Sequence, residues 1–350
     1  MTLSPVFRSP EAVAILRDEG VWRGLDLAAR GQAGAIARVR RDLPRVLEAA
    51  YLDGAALARA DEAPDIEFVQ EFFFLILFRG VFESIGVAPA GLELCSELNF
   101  CIKGTITAAD NLFDDQDKTL LPLGAGEGAR FRSILQLLAF ERLAARVLAR
   151  GMAAGAIDPA AVEELQRELL SRMAAIGSLE GSEEAGVAGV LTPERMIDEV
   201  HRVRGGALFE LAFVAPRRLA SPPEAGTLAR AQHAIQRLGT AFQIVDDLTD
   251  FEWDLAHGRH NLLVAQVTHH GSPAERGALD AVAAAGPGDG DVVTARFAES
   301  ARAVIDRGEV EARASLEALH ALGFWLAPRL ADQLLRAIVG LDGVARMRAL

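Results

Sequence analysis

Phe242-Gln243-Ile244-Val245-Asp246-Asp247-Leu248-Thr249-Asp250 is the stretch on which the reading of the chain turns. Its aspartates stand where the apolar end of a helix would otherwise continue. On a helix Asp246 and Asp250 are i,i+4 and share a face, with Gln243 one turn earlier on the same side. Like charges at that spacing oppose a bare helix by roughly a few tenths of a kcal/mol. Ile244-Val245 and Leu248 enclose the acidic pair, so solvation of a helix end explains little and a compensating cation is expected. Moving outward, Ala109-Asp110-Asn111-Leu112-Phe113-Asp114-Asp115-Gln116-Asp117 repeats the pattern, with Asp110 and Asp114 at i,i+4. For this cluster alone, a solvated helix end is an equally open reading. All-oxygen ligands suit a hard divalent ion, Mg2+ before Ca2+, that keeps some waters and shares phosphate oxygens.

The surrounding text is helical. Hydrophobic residues make up 51% of the chain and Tyr occurs once, so a large core is available and β-rich patterning is absent. Helical spacing runs from Pro10 to Ala60, with breaks expected at Gly31 and at Asp53-Gly54. Asp61-Glu62-Ala63-Pro64-Asp65 reads as a connector. Helices are expected over 66–85, from Pro89 through Asp114, over 129–150, and from Asp158-Pro159, where Asp caps and Pro fills the first turn. Leu121 to Gly128, Ser221-Pro222-Pro223 and Gly286 to Gly290 read as loops or turns, and the glycine-rich stretch 177–189 as a loosened helix. Thr192-Pro193-Glu194 starts another helix, and one more is expected to run to Trp253. The expected fold is all-α, with residues 1–64 as a helical extension packed on a helical domain spanning 65–350.

The formal net charge of −13 repels phosphate backbones, which excludes nucleic acid as an expected partner. Cys95 and Cys101 cannot form a disulfide framework and read as buried small hydrophobes in a reducing compartment. The apolar run Phe72 to Phe78, bracketed by Glu71 and Arg79, is too short to span a bilayer. With no basic-then-apolar leader in the first ten residues, a cytoplasmic protein without a membrane span is expected.

The Phe242–Asp250 stretch resembles the second aspartate-rich motif, F-Q-x-x-D-D-x-x-D, of trans-prenyl diphosphate synthases. Asp254-Leu255-Ala256-His257-Gly258-Arg259-His260-Asn261-Leu262 is similar to the family's D-x-x-x-G-K-x-N/T-L, with Arg259 in the Lys place. Arg204-Gly205-Gly206-Ala207-Leu208-Phe209 resembles K-T-G-A-L-F, again with Arg for Lys. Asp110-Asn111-Leu112-Phe113-Asp114 looks like D-D-x-x-D with Asn at the second position. The resemblance covers roughly residues 65 to 345 and implies an isoprenoid synthase bundle with a central active-site cavity. It implies that two facing aspartate helices hold three Mg2+: Asp110 and Asp114 on one wall, Asp246 and Asp250 on the other, with Asp247 beside them. Arg204 and Arg259 would donate to the diphosphate of an allylic substrate, bidentately where Lys offers a point charge. Gln243 and Lys103 are further diphosphate candidates. Phe113, Phe209 and Phe242 would line a dry cavity and face an allylic cation, although ordinary core packing accounts for any one of them equally well.

The departures from the family are informative. Its G-G-K-R-x-R-P segment, which binds isopentenyl diphosphate, would fall on Gln70-Glu71-Phe72-Phe73-Phe74-Leu75, and Glu62 to Phe78 contains no Lys or Arg. The paired arginines after the first motif are replaced by Lys118-Thr119-Leu120-Leu121-Pro122. The leading expectation is therefore a terpene synthase-like enzyme that ionises an allylic diphosphate and cyclises, rearranges or quenches the cation. Two alternatives stay open: a prenyltransferase with a divergent second-substrate site, using Lys103, Arg79 or a non-diphosphate acceptor, and a non-catalytic partner subunit. A homodimer is implied, with the Phe72–Phe78 run compatible with its interface. His257, His260, His269 and His270 fit a solvated loop better than a metal site. Trp253 reads as core by default, and Leu179-Glu180-Gly181-Ser182-Glu183-Glu184 as a solvated loop.

Overall fold

The protein is all-helical in a computed structural model that describes residues 9–58, 64–113, 116–124, 128–183, 186–219, 222–285, 291–338 and 341–350. Among these no strand forms, although Leu52 and Leu123 make an isolated antiparallel bridge. Asp114, the Ser221 turn, the Gly286 to Gly290 loop, the first residues of the Asp61 connector and Glu184 lie outside the described residues. No described helix is long and apolar enough to cross a membrane.

Helix starts follow capping chemistry. Asp65 accepts the Phe68 N–H at 2.8 Å, Asp158 the Ala161 N–H at 2.8 Å, and Thr192 the Arg195 N–H at 3.4 Å, each satisfying an amide that the first helical turn leaves unpaired. One expected interruption is absent, and another, over 177–189, begins only after Ser182. The Val21–Arg41 helix passes through Gly31 unbroken, because that glycine serves proximity: a Cβ there would sit 2.2 Å from Nε of Arg79. The Pro159–Ser182 helix continues through Gly177 and Gly181. Conversely, the helix expected to reach Trp253 ends at Asp246, and Phe251–His257 forms a separate one.

The chain divides into two compact units. The first comprises Trp22–Glu168 and Leu211–Leu228. Its core is aromatic: Phe82 meets Phe213 edge-on at 4.9 Å, and Phe100 meets Phe140 at 5.3 Å. Phe72, Phe73, Leu75, Ile76, Leu77 and Phe78 are buried in this core, which accounts for the apolar run within the unit itself. A polar net crosses the unit. Arg79 donates to Glu83 at 2.8 Å, Glu93 at 2.7 Å and the Ser96 hydroxyl at 3.1 Å. Glu97 accepts from Arg38 and, at 2.6 Å, from Arg150, which also pairs with Asp42. Cys95 and Cys101 are buried free thiols, and burial pushes both well above the usual thiol range.

The second unit comprises residues 9–21, Leu169–Glu210 and Ala229–Leu350. Its core joins the Pro222–Asp246 helix to Ala298–His320 at Gly308, where a Cβ would lie 2.8 Å from Val245. The segment Ile197–Ala207 is π-helical, a rare winding that concentrates at functional sites. Gly205 and Gly239 let this segment touch the Pro222–Asp246 helix backbone to backbone: a Cβ on Gly205 would be 2.3 Å from the Gly239 carbonyl oxygen.

Candidate active site

In the second unit the aspartates gather at the C-terminal end of the Pro222–Asp246 helix, where the chain makes one more turn: the Thr249 and Asp250 amides both donate to the Asp246 carbonyl, at 2.7 and 3.1 Å. Asp246 is half-buried and Asp250 exposed. Burial, then the neighbouring Asp250, Asp247 and Asp254, pushes the Asp246 carboxyl well above the usual carboxylate range, and Arg204 pulls it part of the way back. Asp254 is pushed up to about 8, by burial first and Asp247 second. Such a set calls for a proton or a cation. Among the described residues no three carboxylate, imidazole or thiolate groups already enclose an ion. A divalent ion held by Asp246 and Asp250 would thus complete its shell with water or ligand oxygens, as Mg2+ commonly does.

Asp247 is turned inward. It is 2% exposed. Its Oδ2 accepts the Leu262 N–H at 2.5 Å and lies 2.9 Å from Nε2 of the fully buried His201. Asn261 completes the knot: its side-chain amide donates to the Asp247 carbonyl at 2.8 Å and to Asp254 at 2.9 Å, while its oxygen caps the Leu262–His270 helix. The Asp247 carboxylate thereby locks the acidic turn onto the start of the Leu262–His270 helix.

Arg204 and Arg259 both lie in this unit. Arg204 projects from the π-helical segment and donates from Nε to Glu180 at 2.6 Å, with Nη2 2.8 Å from Glu183. The acidic text read as a solvated loop therefore grips a candidate diphosphate ligand. Arg259 follows Gly258, which takes the left-handed conformation (φ 61°) and ends the Phe251–His257 helix. Its guanidinium carbon lies 4.4 Å from the Trp253 ring centroid, so Trp253, 44% exposed, supports a cation rather than filling the core. His257 stacks on the same indole at 4.2 Å, and His269 reaches the Val190 carbonyl at 3.2 Å. Phe209 and Phe242 meet at 5.7 Å. Gln243 packs where Gly205 approaches, its Cβ 2.9 Å from the position a Gly205 Cβ would take.

In the first unit Asp110 is exposed at the end of the Pro89–Phe113 helix, and Phe113 is 53% exposed. Asn111 points inward: its amide donates to the Lys118 carbonyl at 2.9 Å and the Ser133 hydroxyl at 3.2 Å, and its oxygen accepts the Lys118 N–H at 3.1 Å. An aspartate could not make the two donated bonds, which accounts for Asn at that place.

In the same unit Glu71 lies within electrostatic reach of Lys103 and of a residue the sequence did not single out, Arg40. Burial pushes the Glu71 carboxyl up, while Arg40 and Lys103 pull it back. Loss of water lowers Lys103; Glu71 and Asp110 oppose that shift and Lys118 adds to it. Arg40 donates to the Leu120 carbonyl at 2.8 Å and lies over the Phe72 and Phe100 rings at 5.9 and 5.7 Å, while its buried Nε has no hydrogen-bond partner. Arg79, by contrast, is fully engaged in the polar net.

No protein-family model matches the chain, and no curated protein is significantly similar to it. Solved structures are similar. A decaprenyl diphosphate synthase from Rhodobacter capsulatus is 19% identical with a TM-score of 0.58, over 93% of this chain and 98% of that one. A polyprenyl synthase from Caulobacter crescentus CB15, complexed with calcium and isoprenyl diphosphate, is 16% identical with a TM-score of 0.61, over 90% and 96%. A geranylgeranyl pyrophosphate synthase from Corynebacterium glutamicum, complexed with isoprenyl diphosphate and magnesium, is 16% identical with a TM-score of 0.54, over 90% and 99%. The chain thus has the isoprenoid synthase fold of the trans-prenyl diphosphate synthases.

Proposed function

We propose that the protein is an isoprenoid diphosphate enzyme that ionises an allylic prenyl diphosphate and transfers the prenyl group to a second substrate. The observation that favours transfer over cyclisation is the grouping of Arg40 and Lys103 about Glu71, with Lys118 and Asp110 within electrostatic reach of Lys103. Three cations against two carboxylates, Glu71 and Asp110, leave one positive charge in excess on a chain of net charge −13, the condition for admitting a second anion. The unpaired Arg40 Nε is a donor with capacity to spare.

In this reading Asp110, Asp246 and Asp250, with Asp114 from the sequence, hold divalent cations, three Mg2+ by the resemblance. Mg2+ supplies the charge that stabilises the departing diphosphate. Arg204, Arg259 and Gln243 bind the donor diphosphate, and Asp247 fixes the turn that presents Asp246 and Asp250. Phe113, Phe209 and Phe242 face the cation and exclude water from it. Arg40, Lys103 and Lys118 orient the acceptor. Supporting the substrate class, the two neighbours above were crystallised with isoprenyl diphosphate and a divalent metal.

Cyclisation or quenching without a second diphosphate is the second reading, favoured by Glu71, whose carboxylate offsets part of the cationic charge. A non-catalytic partner subunit would have no use for the acidic cluster of the second unit. The proposed assembly is a homodimer. It is supported by Phe131, Ile134 and Leu138, at i, i+3 and i+7 on one face of the Ala129–Ala153 helix and 50, 45 and 57% exposed.

The test is product analysis with Mg2+ and C10, C15 or C20 allylic diphosphates, each with and without isopentenyl diphosphate. Longer prenyl diphosphates that require the second substrate are expected. Hydrocarbon or alcohol formed without it would establish cyclisation or quenching instead, and inert protein that does not bind diphosphate would indicate a partner subunit.

A further inference from the structure

The cation assigned to the donor diphosphate is already held by two acids. Arg204 Nε donates to Glu180 at 2.6 Å, and Nη2 lies 2.8 Å from Glu183. The acids differ in freedom. Glu183 is 1% exposed and its second oxygen accepts the His260 N–H at 3.2 Å. The Val187 N–H reaches the Gly258 carbonyl at 2.9 Å. Glu183 thus ties the end of the Pro159–Ser182 helix to the turn that carries Arg259, and it is fixed. Glu180 occupies the last turn of that helix with its side chain 29% exposed, so a rotamer change carries its carboxylate into water without moving backbone.

Glu183 Oε1 lies 2.8 Å from Arg204 Nη2, and both atoms are buried. Burial disfavours the guanidinium charge, yet Glu180 and Glu183 outweigh it and hold Arg204 above its ordinary range. Counting Arg204, Glu180 and Glu183 together, an arriving anion meets a local charge of −1, not +1.

We propose that Glu180 is a built-in competitor for the substrate diphosphate at Arg204, and so sets the affinity of the donor site. Binding is an exchange: the Arg204–Glu180 contact breaks, Arg204–phosphate contacts form, and Glu180 turns to solvent. Glu183 remains as the positioning residue that keeps Arg204 in place. The inference rests on Arg204 being a diphosphate ligand, as proposed above.

The experiment is calorimetric titration of inorganic pyrophosphate with Mg2+ into the wild type, Glu180→Gln, Glu180→Ala, Arg204→Ala and the Glu180→Gln/Arg204→Ala double variant, with circular dichroism confirming the fold. Removing one charge-assisted contact that competes with the ligand should tighten binding by roughly tenfold in both Glu180 variants. The double variant should bind as weakly as Arg204→Ala. Glu180 variants that bind no tighter, while Arg204→Ala weakens binding, would overturn the competitor role alone. Arg204→Ala binding like wild type would overturn the diphosphate role of Arg204 and the competitor with it.

Discussion

Replacing Asn111 by Asp restores the acidic pair usual in the first motif, and by motif logic it should improve metal binding. The structure predicts damage. Asn111 is 2% exposed and makes three hydrogen bonds, two of them as donor, to the Lys118 carbonyl and the Ser133 hydroxyl. Ser133 already donates to the Ala129 carbonyl at 3.1 Å, so its hydroxyl cannot simply reverse. An ionised carboxylate in that place would face the Lys118 carbonyl as acceptor against acceptor and bring a charge into the interior. With each unsatisfied buried group costing about 1–3 kcal/mol, the loss should be about 2–4 kcal/mol at pH 7. The sign of its pH dependence follows. Burial raises the folded-state pKa of the introduced carboxyl above its unfolded value near 3.9. The folded form then binds more protons, so stability falls as pH rises through the intervening range. Urea denaturation of wild type and Asn111→Asp at pH 5 and pH 8 reads this directly, with the difference between them larger at pH 8. A variant as stable as wild type at pH 8, or one with tighter Mg2+-pyrophosphate binding, would refute the bridging role of Asn111.

Arg40→Ala should raise KM for the second substrate by roughly tenfold while changing kcat less, the pattern of a lost binding contact; steady-state kinetics at saturating allylic diphosphate separates the two. Gly104→Ala places a Cβ 2.1 Å from the Phe140 ring and should cost about 1–3 kcal/mol by overpacking. At Gly177, where nothing lies within 4 Å, the same change should stabilise by about 0.5–1 kcal/mol, both read by denaturant titration. Asp254, at about 8 when folded against about 3.9 unfolded, should make the metal-free protein lose stability as pH rises from about 4 to 8. Thermal melting across that range, repeated with Mg2+ and pyrophosphate, should show the dependence flatten.

Local chemistry carried the legible part of the sequence. Asp158 and Thr192 announced helix starts because a cap is a contact between near neighbours, and the second aspartate motif stood out as charge inside an apolar helix. Gly31 misled because sequence does not distinguish a glycine needed for a turn from one needed for closeness, here to Arg79. Arg40 was invisible for a related reason. It reaches Glu71 from another helix, so a scan of the stretch around Glu71 for cations had nothing to find. The same holds for Glu180 and Glu183, which read as a solvated run until Arg204 is seen between them. Trp253 looked like core because an indole under a guanidinium leaves no trace in spacing.

The arginine–carboxylate net of the first unit bears on how that unit responds to heat. Arg79 and Glu97 are 7 and 9% exposed at the side chain, so dissolved salt screens them poorly. The hydration that opposes such burial weakens as temperature rises. The net therefore holds more firmly warm than cold, and the Trp22–Glu168 segment gains a brace when its apolar contacts no longer strengthen with heating.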